Sequence, residues 1–154
     1  MNLTFVCTGN ANRSALAEAI LKKLLSQTNL TDVVVSSCGI RVTEGQKRDE
    51  IMCEIASEKG YEMGGYAIQM NEEILNSADI IIAMTAYHRN EITRLLTYSH
   101  WNRIFLFNDY CFGDISDVID PYFQTEYIYR LCFDRIETGC IEIVKKLKNC
   151  KPVG

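Results

Sequence analysis

Short runs of consecutive apolar residues alternate along this chain with longer segments in which apolar residues recur every three or four positions. The first pattern is typical of strands buried on both faces, and the second is typical of amphipathic helices. In segment 14–25, for example, Leu16, Ile20 and Leu24 fall on one helical face. The pattern predicts strands at residues 2–6, 33–37, 80–84 and 103–107, and helices at residues 14–25, 49–59, 87–96 and 127–147.

Strands and helices alternate in this prediction, which is the order found in open parallel sheets. Connections between parallel strands are right-handed, and they place helices over the sheet. We therefore predict an α/β fold with three layers: an open, four-stranded parallel sheet with helices on both faces. No internal repeat, low-complexity tract or linker interrupts the pattern, so we expect residues 1–154 to form a single domain.

Three local features refine the prediction. Gly60 follows the second helix and suits the left-handed conformation that ends helices. The last helix should turn Ile128, Leu131 and Ile136 inward, while Gly139 should weaken its middle. Segment 108–125 has no helical or strand pattern, and a loop of that length in a compact domain is often functional.

Composition argues against some classes of partner, although a local basic patch stays compatible with it. The net charge of −4 gives no support for nucleic-acid binding, which usually needs a basic face. The longest apolar runs, such as residues 80–84, are far too short to span a bilayer. We therefore expect neither a nucleic-acid partner nor a membrane partner.

The cysteines and the start of the chain bear on the compartment. The seven cysteines are odd in number and lack the spacing of a disulfide framework, which fits a reducing environment. The first residues lack the basic region of a signal peptide. No cysteine or histidine pair has zinc-like spacing. These features predict a cytoplasmic protein without a metal or cofactor.

The most informative motif follows the first predicted strand. A cysteine, five further residues, an arginine and a serine stand where the strand should turn into a helix: Cys7-Thr8-Gly9-Asn10-Ala11-Asn12-Arg13-Ser14. We call residues 7–14 the cysteine loop. Ligands of open parallel sheets bind at this end of the strands, and the free N–H groups of a helix N-terminus attract anions.

Each residue type in the cysteine loop suits attack on a phosphate. Gly9 and Asn10 tolerate the left-handed angles that turn successive N–H groups toward one anion. Arg13 can hold two phosphate oxygens at once. Helix N-termini and cations favour the thiolate form of a cysteine, and a serine such as Ser14 can donate a hydrogen bond to it. We therefore expect Cys7 to form a cysteinyl-phosphate that water then hydrolyses.

The release of a phenolate at neutral pH benefits from a general acid. Asp120 is our candidate because it precedes Pro121 inside the long loop, and pre-proline geometry restricts its backbone. Tyr122 and Phe123 follow and offer rings for stacking against an aromatic substrate. Three other acids of this segment are competitors for the role: Asp109, Asp114 and Asp117. His88 and His100 are interpreted as structural or surface residues, because nothing in the sequence places them beside Cys7.

These residues resemble a known family, the low-molecular-weight protein tyrosine phosphatases. The similarity runs through the cysteine loop, residues 17–19, 37–39 and 79–84, and Asp120-Pro121-Tyr122, in the expected order over nearly the whole chain. The resemblance implies metal-free hydrolysis of phosphotyrosine in proteins by a monomer or weak dimer. It implies Cys7 as nucleophile, Arg13 as phosphate clamp and Asp120 as general acid, with Asn10 shaping the loop. It also implies a cleft lined by Ile40, Arg41, Val42, Tyr122 and Phe123.

The chain departs from that family at three positions. The family usually has a second cysteine at the position of Asn12, where it can form a disulfide with the nucleophile, so we expect this chain to be less protected from peroxide. The family tends to have a histidine, supporting the loop asparagine, where Tyr66 stands. Ala15 replaces a proline that would stiffen the start of the helix.

Other functions fit parts of the pattern. Arsenate reductases share the fold but use two further cysteines beside the third strand and its helix, and residues 82–94 contain none. Protein-arginine phosphatases of the family typically have threonine where Ala11 stands, so tyrosine is favoured and arginine stays a minor option. A non-catalytic phosphate-binding module would not need both Cys7 and Asp120. A nucleotide-binding P-loop would need a Gly-Lys-Ser/Thr sequence, which is absent.

Overall fold

The centre of the molecule is a four-stranded sheet. The computed structural model describes residues 1–150. Its strands lie in the order β2-β1-β3-β4, and every neighbouring pair is parallel. They span Asn2–Cys7 (β1), Val34–Gly39 (β2), Ile80–Ala83 (β3) and Ile104–Leu106 (β4). The predicted sheet is confirmed, and β1 lies inside it, between β2 and β3.

Four of the helices begin after residues with short polar side chains. Asp49, Asn71, Thr85 and Thr125 each accept a hydrogen bond from a backbone N–H of the helix that follows. No helix among residues 1–150 combines the length and the apolar character needed to cross a membrane. The helices are Arg13–Ser26 (α1), Glu50–Glu58 (α2), Glu72–Ser77 (α3), Ala86–Leu95 (α4), Phe107–Phe112 (α5) and Glu126–Asn149 (α6), with a 3₁₀ helix at Tyr98–Arg103.

Helices cover both faces of the sheet, so the fold has the three layers that the sequence predicts. One core contains Phe5 and the buried faces of α1 and α6. The other contains Val6, Ile81 and the buried faces of α3 and α4. Successive side chains of a strand point to opposite faces. Cys7 therefore ends β1 on the same side as Phe5, toward α1 and α6.

The predicted helices and strands are all present, but the sequence pattern misses three short elements. These are α3, the 3₁₀ helix and α5, each of six residues. A helix of that length covers less than two turns, too few for a hydrophobic period to appear. Because α5 occupies the start of segment 108–125, the loop is shorter than predicted.

One prediction about the last helix needs correction. Leu131 is 40% exposed, because the buried face of α6 passes through Tyr129, Cys132 and Phe133 instead. The helix runs continuously through Gly139, from Glu126 to Asn149. Gly139 is buried against Phe107, so packing explains the absence of a side chain there.

Candidate active site

The cysteine loop connects the end of β1 to the start of α1. Cys7 is the last residue of β1, and α1 begins at Arg13. The Cys7 Sγ atom lies 2.8 Å from the Ser14 hydroxyl oxygen, and both residues are buried. The fold thus brings together the thiol, the serine and the first N–H groups of a 14-residue helix, as the sequence predicts.

Asn10 holds the shape of this loop from inside the protein. Its backbone is left-handed, with φ at 51°, and the residue is fully buried. The Asn10 amide nitrogen donates to the Ser14 and Ser37 hydroxyls, at 2.9 and 2.8 Å. Its amide oxygen accepts from the Ile68 N–H at 2.9 Å and from Arg48 at 3.0 Å. Both polar atoms of this side chain are therefore paired in an otherwise costly position.

The neighbouring strand β2 supports the loop through its backbone. The N–H groups of Ile40 and Arg41 donate to the carbonyls of Cys7 and Thr8, at 3.0 and 2.9 Å. A Cβ atom on Gly39 would lie only 2.7 Å from the Asn10 nitrogen and from the Thr8 carbonyl oxygen. The cysteine loop rests directly on the end of β2, and only glycine leaves room for it.

Arg13 and Asp120 face each other although they are far apart in sequence. The Arg13 guanidinium lies 3.5 Å from the Asp120 carboxylate, with side-chain exposures of 5% and 53%. Arg13 also donates to the Val118 carbonyl at 3.0 Å. The Asp120 carboxylate accepts from the Tyr122 N–H at 3.1 Å. The arginine is thus buried and oriented, whereas the aspartate stays accessible to water.

His88 also lies at the cysteine loop, which the sequence interpretation of this residue did not anticipate. Its Nε2 and Nδ1 atoms are 2.8 Å from the Thr8 hydroxyl and 3.0 Å from the Thr85 hydroxyl. Burial, with a smaller contribution from the positive charge of Arg13, lowers the pKa of His88 to about 4. The imidazole is therefore neutral at physiological pH.

A cavity of about 350 Å³ opens above the cysteine loop. Most of the predicted site residues line it, but four of them do not: Asn10, Ser14, Arg41 and Phe123. Residues 46–49 also line it, whereas the resemblance implied a cleft lined by residues 40–42. The lining residues are Cys7, Thr8, Gly9, Ala11, Asn12, Arg13, Gln46, Lys47, Arg48, Asp49, Asp120 and Tyr122.

Two aromatic rings stand at the edge of this cavity. Tyr122 lines it, and the Phe123 ring lies with its centroid 4.1 Å from that of Tyr122. Phe123 is 88% exposed and has a left-handed backbone, with φ at 61°. Such a conformation is unusual for a bulky residue and exposes the ring beyond the cavity wall.

Asn12 is the loop residue whose environment is least expected. It is 9% exposed, and neither its amide nitrogen nor its amide oxygen has a hydrogen-bond partner among the described residues. Asn10, two positions earlier, has both atoms fully paired. The cysteine loop therefore contains one asparagine that stabilises it and one whose buried polar atoms remain unsatisfied.

The site residues that the sequence missed come mainly from the segment before α2. Asp49 accepts from the Met52 N–H at 3.0 Å and from the Tyr129 hydroxyl at 2.7 Å, and its N–H donates to Ala11. A cap pattern at the start of a helix identifies Asp49 as structural, but nothing in the sequence links it to Cys7. Arg48 gives no sequence signal, because it contacts the cysteine loop from another irregular segment, and no local pattern marks such a contact.

Tyr66 does not take the place of the histidine that the resemblance implies. It is 64% exposed, and its hydroxyl makes no hydrogen bond within residues 1–150. The support for Asn10 comes instead from Arg48 and from the backbone of Ile68.

A buried thiol and an oriented arginine lie together at one helix N-terminus of a parallel sheet, the arrangement expected of a phosphatase that uses a cysteine nucleophile. The family model described as low molecular weight phosphotyrosine protein phosphatase matches residues 2–152. The chain belongs to this family.

Its curated relatives differ in the substrate that their names state. A protein-arginine-phosphatase of Bacillus subtilis is 31% identical over 149 residues, which cover 97% of this chain and 98% of that protein. A low molecular weight protein-tyrosine-phosphatase PtpB of Staphylococcus haemolyticus is 34% identical over 136 residues, covering 88% and 92%. Family membership therefore establishes a phosphatase and leaves tyrosine and arginine both open.

Solved structures agree with the fold. A mutant of YwlE from Bacillus subtilis has a TM-score of 0.90 at 31% identity, covering 96% of this chain and 99% of that one. A tyrosine phosphatase from Entamoeba histolytica has a TM-score of 0.89 at 28% identity, covering 97% of each chain. A further YwlE structure, of an arginine phosphatase whose active-site serine is phosphorylated in a C7S mutant, has a TM-score of 0.92 at 29% identity over 100% of each chain.

Proposed function

We propose that this protein hydrolyses phosphotyrosine in protein substrates through a cysteinyl-phosphate on Cys7. One observation carries the proposal: the Cys7 Sγ atom lies 2.8 Å from the Ser14 hydroxyl at the N-terminus of the helix that begins with Arg13. That position exposes an attacking sulfur to a phosphate held by backbone N–H groups and a guanidinium.

In the first step, the Cys7 thiolate attacks phosphorus. An S–P bond forms while the bond from phosphorus to the tyrosine oxygen breaks. Asp120 donates its proton to that oxygen, so the leaving group departs as a neutral phenol. Arg13 and the loop N–H groups stabilise the negative charge on the other phosphate oxygens.

In the second step, water hydrolyses the intermediate. The Asp120 carboxylate, now deprotonated, takes a proton from the attacking water, which fits its 53% exposure. A P–O bond forms, the S–P bond breaks, and inorganic phosphate leaves. Ser14 stabilises the departing thiolate by donating its hydroxyl proton over the 2.8 Å contact with Sγ, which is shorter than its 3.4 Å contact with the Cys38 carbonyl.

The remaining predicted residues have supporting roles in this proposal. The backbone N–H groups of residues 8–12 and of Ser14 form the phosphate cradle, and Tyr122 stacks on the substrate ring. Arg41 and Phe123 lie outside the cavity wall, so their side chains would contact only the surrounding protein substrate.

A metal-free assay with p-nitrophenyl phosphate and a phosphotyrosine peptide tests the mechanism. Cys7→Ser should abolish turnover, because a serine hydroxyl is a much weaker nucleophile here. Asp120→Ala should reduce kcat about 100-fold or more on phosphotyrosine and less on p-nitrophenyl phosphate, whose better leaving group needs less protonation. An inactive wild type, or full activity of Cys7→Ser, would refute the mechanism.

Phosphoarginine is the second candidate substrate, favoured by a specific feature of the cavity. Two carboxylates, those of Asp49 and Asp120, belong to residues of its wall, and carboxylates pair well with a guanidinium. Against it, Ala11 offers no hydroxyl. Comparing kcat/KM on matched phosphotyrosine and phosphoarginine peptides decides between them, and a higher value for phosphoarginine would overturn the tyrosine proposal while leaving the cysteine mechanism intact.

A further inference from the structure

Arg48 contacts the cysteine loop from the segment before α2. One terminal nitrogen of its guanidinium donates to both the carbonyl oxygen and the side-chain amide oxygen of Asn10, the latter at 3.0 Å. Its Nε atom donates to the Gly64 carbonyl at 3.1 Å. Arg48 also lines the cavity in which Cys7 lies. A single side chain thus connects the loop, the segment around residue 64 and the cavity wall.

Asn10 is the residue in this loop that most needs an external support. Its left-handed backbone is costly for any residue with a side chain, and its amide must keep one orientation to donate to Ser14. Hydrogen bonds from a charged donor are stronger than those between neutral groups. Arg48 therefore stabilises both the backbone conformation and the amide orientation of Asn10.

Two successive hydrogen bonds connect the Asn10 side chain to the Cys7 sulfur. The Asn10 amide nitrogen donates to the Ser14 oxygen at 2.9 Å, and that oxygen lies 2.8 Å from Cys7 Sγ. The serine oxygen accepts from Asn10, and its single proton can point to Cys7 Sγ at 2.8 Å or to the more distant Cys38 carbonyl at 3.4 Å. Arg48 acts on the sulfur through this path without touching it.

The charge of Arg48 adds a second effect. Within residues 1–150, no carboxylate lies within 4.0 Å of its guanidinium, and its hydrogen bonds go only to neutral oxygens. Arg13, by contrast, faces the Asp120 carboxylate at 3.5 Å. The positive charge of Arg48 is therefore not offset by a direct partner, and it acts on an anion in the cavity.

We propose that Arg48 is a positioning residue of this phosphatase: it fixes Asn10 and Ser14 for the Cys7 thiolate and supplies a positive charge for phosphate binding in addition to those of Arg13 and Lys47. The proposal rests on the proposed function in that it takes Cys7 as the nucleophile. It also explains how the loop asparagine is supported in a chain with an exposed tyrosine at the position of the family's histidine.

The test compares Arg48→Met and Arg48→Lys with Arg89→Met, a matched change at an exposed arginine of α4. Inorganic phosphate binding is measured as protection of Cys7 from alkylation by iodoacetate, and the pH midpoint of alkylation is measured without phosphate. Neither readout depends on turnover, so both report on Arg48 even if hydrolysis of phosphotyrosine is not observed. Failure of the proposed function is seen separately, in the peptide assay.

We expect Arg48→Met to weaken phosphate binding about tenfold, because the charge is lost, and to raise the pH midpoint of Cys7 alkylation, because the support of Asn10 is lost. Arg48→Lys should bind phosphate within about threefold of the wild type, since it restores the charge, but should keep the raised midpoint. Arg89→Met should match the wild type in both readouts.

A purely structural role predicts a different result. Arg48→Met would then melt at a lower temperature, yet its phosphate binding and its alkylation midpoint would equal those of the wild type, and this outcome overturns the proposal. If Arg48→Met does not fold, Arg48→Gln tests the charge alone, because it keeps an amide donor for Asn10. It should still weaken phosphate binding, and phosphate binding equal to that of the wild type would overturn the proposal.

Discussion

At the scale of single residues, burial has different effects on Asn12 and His88: it leaves the polar atoms of Asn12 without partners and it lowers the pKa of His88. Asn12 has two buried polar atoms without partners, which destabilises the folded state by about 1–3 kcal/mol. His88 is 1% exposed, and both of its ring nitrogens are hydrogen-bonded to threonine hydroxyls. One residue is a weak point of the cysteine loop, and the other stays neutral beside a cation.

Replacing Asn12 by cysteine should improve both stability and redox protection. In reducing buffer, we expect Asn12→Cys to raise the free energy of unfolding by about 1 kcal/mol, since the unpaired amide is removed. After peroxide treatment, thiols should restore its activity, because a disulfide with Cys7 prevents further oxidation. Urea unfolding and activity recovery measure the two effects.

The wild type is the control for oxidation, and it should recover little activity after the same treatment. Complete recovery of the wild type would contradict this prediction, provided mass spectrometry finds Cys7 in neither a disulfide with another cysteine nor a sulfenamide.

His88 should make the folded state less stable as the pH falls. Because its pKa is lowered to about 4, the unfolded chain binds a proton between about pH 6.5 and pH 4 that the folded protein does not. Stability is therefore complete above this window and decreases through it. Between pH 7 and pH 4.5, the wild type should lose about 2 kcal/mol more than His88→Gln, measured by urea unfolding.

The charged groups that surround position 88 are the same in the wild type and in His88→Gln. Arg13 opposes its protonation, whereas Asp117 and Asp120 favour it with smaller effects. An equal loss of stability in wild type and His88→Gln would show that other groups cause the acid sensitivity.

At the scale of elements, α6 shows a conflict between helix propensity and packing. Gly139 lies in the middle of this 24-residue helix, where alanine would be favoured by about 1 kcal/mol. A Cβ atom there would lie 2.3 Å from the Phe107 ring, which is itself fully buried at the start of α5. The two helices can approach each other only through a position without a side chain.

Gly139→Ala should therefore destabilise the protein. We expect a net loss of about 1–2 kcal/mol, because overpacking against Phe107 outweighs the gain in helix propensity. Thr138→Ala, an exposed change on the same helix, is the control and should change stability by less than about 0.5 kcal/mol. Thermal unfolding measures both, and a higher melting temperature for Gly139→Ala would contradict the packing argument.

At this scale the sequence predicts long elements well and short ones poorly. All four strands and the helices α1, α2, α4 and α6 follow from hydrophobic periodicity, because each buries a regular set of side chains. The helices α3 and α5 do not, since six residues do not complete two turns. Packing against other parts of the chain, rather than local pattern, decides these short helices.

At the scale of the whole molecule, the candidate site is assembled from distant parts of the chain. The sequence predicts the contiguous part, residues 7–14, together with Asp120, which a restricted Asp-Pro step identifies. It does not predict Arg48, Asp49 or His88, whose relation to Cys7 arises only when the sheet aligns the ends of its strands. The expectations of a single domain, of a monomer or weak dimer and of a cytoplasmic location stay predictions.

The contact of Gly39 with the cysteine loop has a consequence for protein engineering. A transplant of the eight-residue motif into another parallel sheet would carry the thiol and the arginine but not the bare backbone on which they lie. In a host sheet with any larger residue at that place, Thr8 and Asn10 would be displaced. The smallest set of residues that could be transplanted is therefore discontinuous: the cysteine loop together with a glycine at the end of the adjacent strand.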